Sequence, residues 1–331
     1  MINVVQVGLG PLGQKIVRFA QERKGIKIIA AVDPAADKAG KDLGELCGIG
    51  KLGIVVSPDL KSAIAGKKID AAVLTTVSSV AKLEAQVAEI AAEGLNIVST
   101  CEELSFPWKT QPEISKRIDA KCKEHGVACL GTGVNPGFLM DFLPTALTGV
   151  CQNVEKIKVS RVQDASSRRI PFQQKIGAGL TPAQFQEKVA AGTLRHVGLT
   201  ESMDMIAARL GWTLTASDES LEPVMAENDV DSGYTPIKAG MARGVHQVGR
   251  AFVGDKEVIT LEFLAAVGEA ESYDKVEIFG EPNIVSTIAG GVNGDIATCA
   301  ITLNAVYAIV NAPKGLRTMV DTPIVAYRTE S

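Results

Sequence analysis

The chain is short of the residues that metal and thiol chemistry require. Only three histidines occur in 331 residues, His125, His196 and His246, and none stands at zinc-ligand spacing from a cysteine or another histidine, so no metal site is expected. Six cysteines (Cys47, Cys101, Cys122, Cys129, Cys151, Cys299) form no C-x-x-C pair and are too sparse to staple a chain this long. Reduced thiols in the cytoplasm are the simplest reading. No run approaches the roughly 18 apolar residues that span a bilayer, and the opening Met1-Ile-Asn-Val-Val-Gln-Val7 breaks at Gly8 without the basic leader of a signal peptide. Charge of one sign is equally scarce. The 34 basic and 38 acidic residues are mixed along the chain, with a net charge of -4 and no block that would neutralise a row of phosphates. Neither a membrane nor a nucleic acid is expected as a partner.

What is present is an ordinary globular composition, 46% hydrophobic, in a length that divides into about two domains with separate cores. The first third alternates short Val/Ile/Ala runs with helical periods, the pattern of a parallel α/β sheet. Strands are expected at about 2–7, 28–32, 53–56, 71–75, 95–99 and 127–130. Leu12, Ile16, Phe19 and Ala20 would share one face of the first helix, and another helix runs from Val80 to Glu93. After Gly131-Thr-Gly-Val-Asn-Pro-Gly137 the character changes to long β runs near 154–163, 245–253, 257–266 and 273–279, with helices near 182–191 and 200–209. The expected organisation is therefore a dinucleotide-binding Rossmann domain over 1–135 and a mixed α+β domain over 136–300. The segment 301–331, which follows a helix from about Asp295 to Val310, is expected to return to the first domain.

Gly8-Leu9-Gly10-Pro11-Leu12-Gly13 is a G-x-G-x-x-G that follows a strand and opens a helix, with Asp33 20 positions after Gly13 at the end of the next strand. Gly8 would permit the turn, Gly10 would let a pyrophosphate approach the backbone, and Gly13 would let helix and strand pack closely. Asp33 would accept from the adenosine ribose hydroxyls and repel a 2′-phosphate, which favours NAD. Lys38 and Lys41 could offset that repulsion and leave NADP open; the alternative is that they are solvated lysines on a helix.

Ligands of open parallel sheets lie beyond the carboxyl ends of the strands. There Thr75 and Thr76 would line the dinucleotide, or else the hydroxyls of this loop cap the following helix. Glu102 and Glu103 follow the fifth strand, where a partly desolvated carboxylate could exchange protons with water or ammonia while hydride passes to a nicotinamide. Alternatively they are loop carboxylates, one of them capping a helix. Cys101 and Cys129 raise the different chemistry of an acylating aldehyde dehydrogenase, although neither has an evident base. A dinucleotide sensor without catalysis is the third reading. Arg168 and Arg169, in Asp164-Ala-Ser-Ser-Arg-Arg169, are candidate partners for a substrate carboxylate, or they form structural ion pairs, for instance with Asp164.

The glycine loop, Ser99-Thr-Cys-Glu-Glu-Leu-Ser-Phe-Pro107, Gly131-Thr-Gly-Val-Asn-Pro-Gly-Phe138, Asp164-Ala-Ser-Ser-Arg-Arg-Ile-Pro171 with Lys175-Ile-Gly-Ala-Gly179, His196-Val-Gly-Leu199 and Ala312-Pro-Lys-Gly-Leu316 together resemble the dihydrodipicolinate-reductase-like dehydrogenases. Within them the chain is most similar to the 2,4-diaminopentanoate dehydrogenases and native amine dehydrogenases. The resemblance implies NAD(P)-dependent oxidative deamination of a primary amine, reversible as reductive amination of a carbonyl with ammonia. It further implies a homodimer formed through the second domain's sheet. It makes Glu102 the acid/base ahead of Glu103, sets Asn135 and Asn304 near the nicotinamide, and makes Phe138 a wall of the substrate pocket. The His-His-x-x-Lys-like motif of true dihydrodipicolinate reductases is missing, which argues against their role in lysine synthesis.

Overall fold

The computed structural model describes residues 1–168, 170–194 and 196–328. They form two compact units, one made of Met1–Phe138 with the segment that returns from Asn293, the other of Leu139–Val292. In chain order the first unit contains β1 (Ile2–Val7), α1 (Pro11–Gln21), β2 (Ile26–Val32), α2 (Leu43–Leu46), β3 (Val56–Ser57), α3 (Leu60–Ile64), β4 (Ala71–Leu74), α4 (Val80–Ala92), β5 (Asn96–Ser99), α5 (Pro107–Thr110), α6 (Pro112–Glu124) and β6 (Ala128–Gly131). The second contains α7 (Phe142–Leu147), β7 (Asn153–Asp164), α8 (Ile170–Lys175), α9 (Pro182–Ala190), α10 (Leu199–Leu210), β8 (Ala216–Met225), β9 (Val230–Asp231), β10 (Pro236–Ile237), β11 (Ala242–Val253), β12 (Lys256–Ala266), β13 (Tyr273–Glu281) and β14 (Ile284–Ala289). The chain then re-enters the first unit with α11 (Gly294–Ile309) and β15 (Gly315–Arg317). The expected domain limits at 135 and 300 thus differ from the observed ones. A limit at 300 would cut through α11, which starts from one cap, the Asn293 side chain accepting from the N–H groups of Asp295 and Ile296.

The strands of the first unit lie in the order β15-β6-β5-β4-β1-β2-β3, all parallel. Apart from β15 this is the doubly wound arrangement in which the chain reverses direction beside β1, leaving a crevice at its carboxyl end. Strand β4 is buried throughout, as a sheet covered on both faces requires. On α4, Val80, Leu83, Val87, Ile90 and Ala91 fall on the buried side. On α1 the buried stripe is Gly13, Ile16, Val17 and Ala20 rather than the expected set that included Leu12 and Phe19, because Gly13 lies against the Gly8 carbonyl and Thr75 and turns that side of the helix inward. The third strand is only two residues long: Gly53 turns at φ +74° and Val55 instead bridges to Asp42.

The second unit is a six-stranded mixed sheet, β14-β13-β7-β12-β11-β8, in which only β7 and β12 run parallel. Its core gathers Phe185, Leu194, Val245, Phe263 and Ala265. Helix α9 is fixed at its start by a capping box, Thr181 and Gln184 bonding reciprocally with Pro182 at the first helical position. Among the described residues no helix is long and apolar enough to cross a membrane.

Candidate functional site

The glycine loop joins β1 to α1, and its three glycines do different work. Gly8 has φ +90°, and a Cβ there would lie 2.7 Å from the Thr75 carbonyl oxygen. A Cβ on Gly13 would come within 2.2 Å of the Gly8 carbonyl oxygen. Both positions therefore admit only hydrogen. At Gly10 an added Cβ would meet nothing within 4 Å. The space over Gly10 is an open cradle at the start of α1, where first-turn N–H groups have no preceding carbonyl and a positive dipole end favours an anion. These residues fit a dinucleotide diphosphate.

Polar side chains hold this loop from below. Gln6, fully buried in β1, donates to the Gly8 carbonyl at 2.9 Å and to Thr75 Oγ1 at 2.8 Å. Thr75 Oγ1 in turn donates to the Gly8 carbonyl at 2.9 Å, and Gln14 Nε2 to the Leu9 carbonyl at 2.9 Å. Thr75 thus braces the loop, while Thr76 lines the cleft and bonds Gln86 at 2.7 Å. Gln6 and Gln14 were not anticipated; the available signal was an amide, Gln6, set among Val4, Val5 and Val7 near the end of its strand.

A cleft of about 490 Å³ opens beside the loop, lined by Gly8, Gly10, Asp33, Lys38, Pro58 and Thr76 among others. Asp33 is almost wholly buried. Its Oδ2 accepts from the Leu9 N–H at 2.9 Å and from Lys38 Nζ at 2.8 Å, and its Oδ1 from the Ala35 N–H at 3.0 Å. Burial pushes its carboxyl up, but Lys38 and the two backbone donors outweigh this and hold it below the ordinary range. Lys38 is therefore not a solvated lysine on a helix. It stands in a turn with its side chain 20% exposed, ion-paired to Asp33, whereas Lys41 is exposed.

The two acids after β5 have separate environments. Glu103 Oε2 accepts from the Val80 N–H at 2.8 Å and so caps α4, whose preceding Ser79 makes no side-chain cap. The helix is capped from a later loop, and not by the hydroxyls next to it. Glu102 opens the short 3₁₀ turn Glu102–Ser105 and is half-buried. Its carboxylate has no hydrogen-bond or ion-pair partner among the described residues. Cys101 and Cys129 are buried. Burial pushes the Cys101 thiol up to about 12, and a hydrogen bond with Cys122 together with burial takes Cys129 well above the ordinary thiol range. Neither is an available thiolate nucleophile.

In the loop after β6, Val134 N–H donates to Thr298 Oγ1 of α11 at 3.3 Å, close to half-buried Asn135 and Phe138. Asn304 lies six residues further along α11, about 9 Å by helical rise, and its Oδ1 is buried without a hydrogen-bond partner.

In the second unit Arg168 stacks its guanidinium 3.9 Å over the Phe172 ring and donates to Gln163 Oε1 at 3.3 Å. Asp164, the expected structural partner, engages its Oδ1 with Ser166 and with the Gly268 N–H. Arg169 lies outside the described residues. Arg161 is buried and paired with Asp274 at 2.9 Å. His196 stacks on Phe263 with ring centroids 4.5 Å apart, and desolvation, with Lys175 and Arg161 nearby, takes its pKa down to about 3. Its ring is neutral.

Two family models match the chain. One, described as the 2,4-diaminopentanoate dehydrogenase C-terminal domain, covers residues 138–330, and the other, described as the dihydrodipicolinate reductase N-terminus, covers residues 2–102. The 2,4-diaminopentanoate dehydrogenase of Acetoanaerobium sticklandii is 32% identical over 98% of this chain and 94% of its own length. The amine dehydrogenase of Streptomyces virginiae is 21% identical over 98% of this chain and 97% of its own. Among solved structures, the amine dehydrogenase of Mycobacterium smegmatis superposes with a TM-score of 0.85 at 25% identity, covering 99% of this chain and 97% of that one.

Proposed function

Because this chain belongs to the 2,4-diaminopentanoate dehydrogenase family, we propose that it oxidises a primary amine to the carbonyl with reduction of NAD(P), and that ammonia and the carbonyl are converted back in the reverse direction. The observation that carries this reading is the match over 98% of the chain, which takes in both the glycine-loop unit and the second unit. Gly10 and the start of α1 would hold the diphosphate of a nicotinamide dinucleotide and Asp33 its adenosine ribose, and the group would supply the hydride acceptor for the amine-bearing carbon. The chain's own residues do the rest.

Glu102 is the proton carrier. Its carboxylate takes a proton from the substrate ammonium, freeing the nitrogen lone pair to form C=N as hydride leaves the carbon. Having released that proton to solvent, it takes one from the water that adds to the carbon and returns it to nitrogen; the C–N bond then breaks, ammonia departs, and the hydroxyl gives up its proton to leave the carbonyl. That the Glu102 carboxylate has no hydrogen-bond or ion-pair partner among the described residues supports this role, and the cap on α4 supports a structural one for Glu103. Asn135 and Asn304 are assigned to the nicotinamide, for which the unpartnered Asn304 Oδ1 is a ready acceptor, and Phe138 to the substrate wall.

The substrate class is an amine that also carries a carboxylate, 2,4-diaminopentanoate or a close relative, with Arg168 as the anion's partner. The assembly is a homodimer through one face of the six-stranded sheet, where Phe279 is 44% and Val285 65% exposed beside half-exposed Lys158 and Glu277. Initial rates of NAD(P)H formation at 340 nm across diamino acids, amino acids and alkylamines test the reading. Turnover is expected with a higher kcat/KM for 2,4-diaminopentanoate than for 2-aminopentane. A chain that binds the cofactor but reduces it with no amine would refute it.

A further inference from the structure

Two arginines of the second unit, Arg161 and Arg168, are held in different ways. Arg161 meets the Asp274 carboxylate at 2.9 Å, whose negative charge balances its own. Arg168, half-buried in the turn after β7, donates from Nη1 to Gln163 Oε1 at 3.3 Å and lies with its guanidinium 3.9 Å over the Phe172 ring. An amide oxygen and a ring face orient a guanidinium without neutralising it.

The Gln163 amide is itself fixed by its surroundings. Gln163 lies two residues after Arg161, so both side chains leave the same face of β7. Both donate to one acceptor, the Val292 carbonyl, from Arg161 Nη2 at 2.8 Å and from Gln163 Nε2 at 2.9 Å. The Val292 N–H donates in turn to Asp274 Oδ2 at 2.7 Å, which closes the group around the ion pair. With its nitrogen turned to a carbonyl, the amide presents its oxygen to the guanidinium of Arg168; a flipped amide would set oxygen against oxygen and donor against donor.

The backbone that carries Arg168 is tied down as well. Asp164 Oδ1 accepts from the Ser166 N–H at 3.0 Å, and buried Gln173 donates to the carbonyls of Arg168 and Ser232 at 3.0 and 3.1 Å. A long cationic side chain gives up rotamer freedom when it takes a ligand, and one already set in place gives up less.

Resting on the reading of Arg168 as the partner of the substrate carboxylate, we propose that Gln163 is a positioning residue for substrate choice. Its amide oxygen, together with the Phe172 ring, holds the Arg168 guanidinium in place for the carboxylate and leaves its charge to that group. An acid at position 163 would hold the arginine equally well and occupy it.

The ratio of kcat/KM for 2,4-diaminopentanoate to that for 2-aminopentane tests this, because a loss of folded enzyme lowers both and leaves the ratio alone. In Gln163→Leu the Val292 carbonyl keeps its bond from Arg161, and the ratio should fall about tenfold, through a higher KM for the acid. Gln163→Glu retains an acceptor beside Arg168 but adds the charge that cancels it, so the ratio should fall at least as far. In an Arg168→Ala background, Gln163→Leu should change the ratio no further. A Gln163→Leu variant with an unchanged ratio overturns the proposal, as does a Gln163→Glu variant with the wild-type ratio, or losses that add in full to those of Arg168→Ala. A wild type without preference for the acid, or a preference that survives Arg168→Ala, would instead remove the carboxylate reading at Arg168, and this proposal with it.

Discussion

The two sheets of this molecule treat charge in opposite ways. In the parallel sheet the strands are mainly apolar, with Asn3, Gln6 and Lys27 among the exceptions, none of them acidic, and the acidic residues Asp33, Glu102 and Glu103 stand just past the strand ends. In the mixed sheet, charges sit in mid-strand: Lys156 with Glu257, Glu262 with Ser160 and His246, Arg161 with Asp274. A sheet covered on both faces has room for polar chemistry only at its ends, whereas a mainly antiparallel sheet with one half-exposed face can carry it along the strands. The difference teaches that carboxylates in the first unit are candidates for chemistry, and those in the second for holding strands together.

Substituting neighbours is the strongest way to break that contrast. Glu102→Gln should lower kcat by about 10²–10⁴-fold while NADH still binds. Glu103→Gln should keep most turnover, its amide oxygen still accepting from Val80, whereas Glu103→Ala should lower stability by about 0.5–2 kcal/mol through the lost cap on α4, seen in urea unfolding. A dead Glu103→Gln beside an active Glu102→Gln would exchange the two roles.

The buried pair of the second unit comes next. Burial lowers the pKa of Arg161 and raises that of Asp274, both toward the neutral forms, so desolvation exceeds what the pairing returns. Removing one partner nevertheless strands the other, and Arg161→Met should cost about 3–5 kcal/mol of unfolding free energy. The exposed pair of Arg117 with Glu84 in the first unit, at 2.6 Å, is screened by solvent, and replacing Arg117 by Ala should cost far less than Arg161→Met. Equal losses at the two positions would contradict the distinction.

The glycines sharpen it within the first unit. Gly13→Ala drives a Cβ into the Gly8 carbonyl and should destabilise by about 1–3 kcal/mol. Gly10→Ala should leave the melting temperature unchanged and weaken NADH binding, since its Cβ enters only the cradle. A Gly10→Ala variant that melts early would mean the cradle is packing space.

The smallest effect is a pH window on the mixed sheet. The hydrogen bond between His246 and Glu262, 3.0 Å long, raises the histidine above its usual 6.5 and lowers the glutamate from 4.5 to about 2. The raised histidine adds stability that is whole below pH 6.5 and vanishes as pH climbs through the folded value. The lowered glutamate adds stability that is whole above pH 4.5 and is lost as pH falls toward 2. The pair therefore helps most between these limits. Denaturant titrations of His246→Gln should lose that maximum, by under about 1 kcal/mol because both side chains are partly solvated.

The glycine loop, Asp33 and most of the central strands were legible because their signals are local: a hydrophobic run, a turn that needs glycine, a helix start. Strand β8, reading Ala-Ser-Asp-Glu-Ser-Leu-Glu-Pro-Val-Met, was not, because it is an edge strand whose charges and Pro223 protect an open side and erase the apolar alternation. Strand β14 occupies the other edge, and β15 has three residues, too few for any period. At the candidate site, the positions of Asp33 and Glu102 could be read, but the partners of Lys38 and Glu103 could not. Those contacts bring together residues 5 and 23 positions apart through turns that no pattern in the sequence encodes.

Because β15 pairs with β6, the first unit's sheet ends on that side in a strand of three residues that follows the second unit in the chain. As the chain emerges during synthesis, residues up to Gly131 must wait with one sheet edge unpaired while the whole of Leu139–Val292 is made. The wait carries little thermodynamic penalty, since closing a longer loop adds only about 0.6 kcal/mol per doubling of its length. Its cost is kinetic, a half-finished edge open to other nascent chains. A chain stopped before Gly315 would keep that edge for good, and its fate would be aggregation rather than a slightly shortened enzyme.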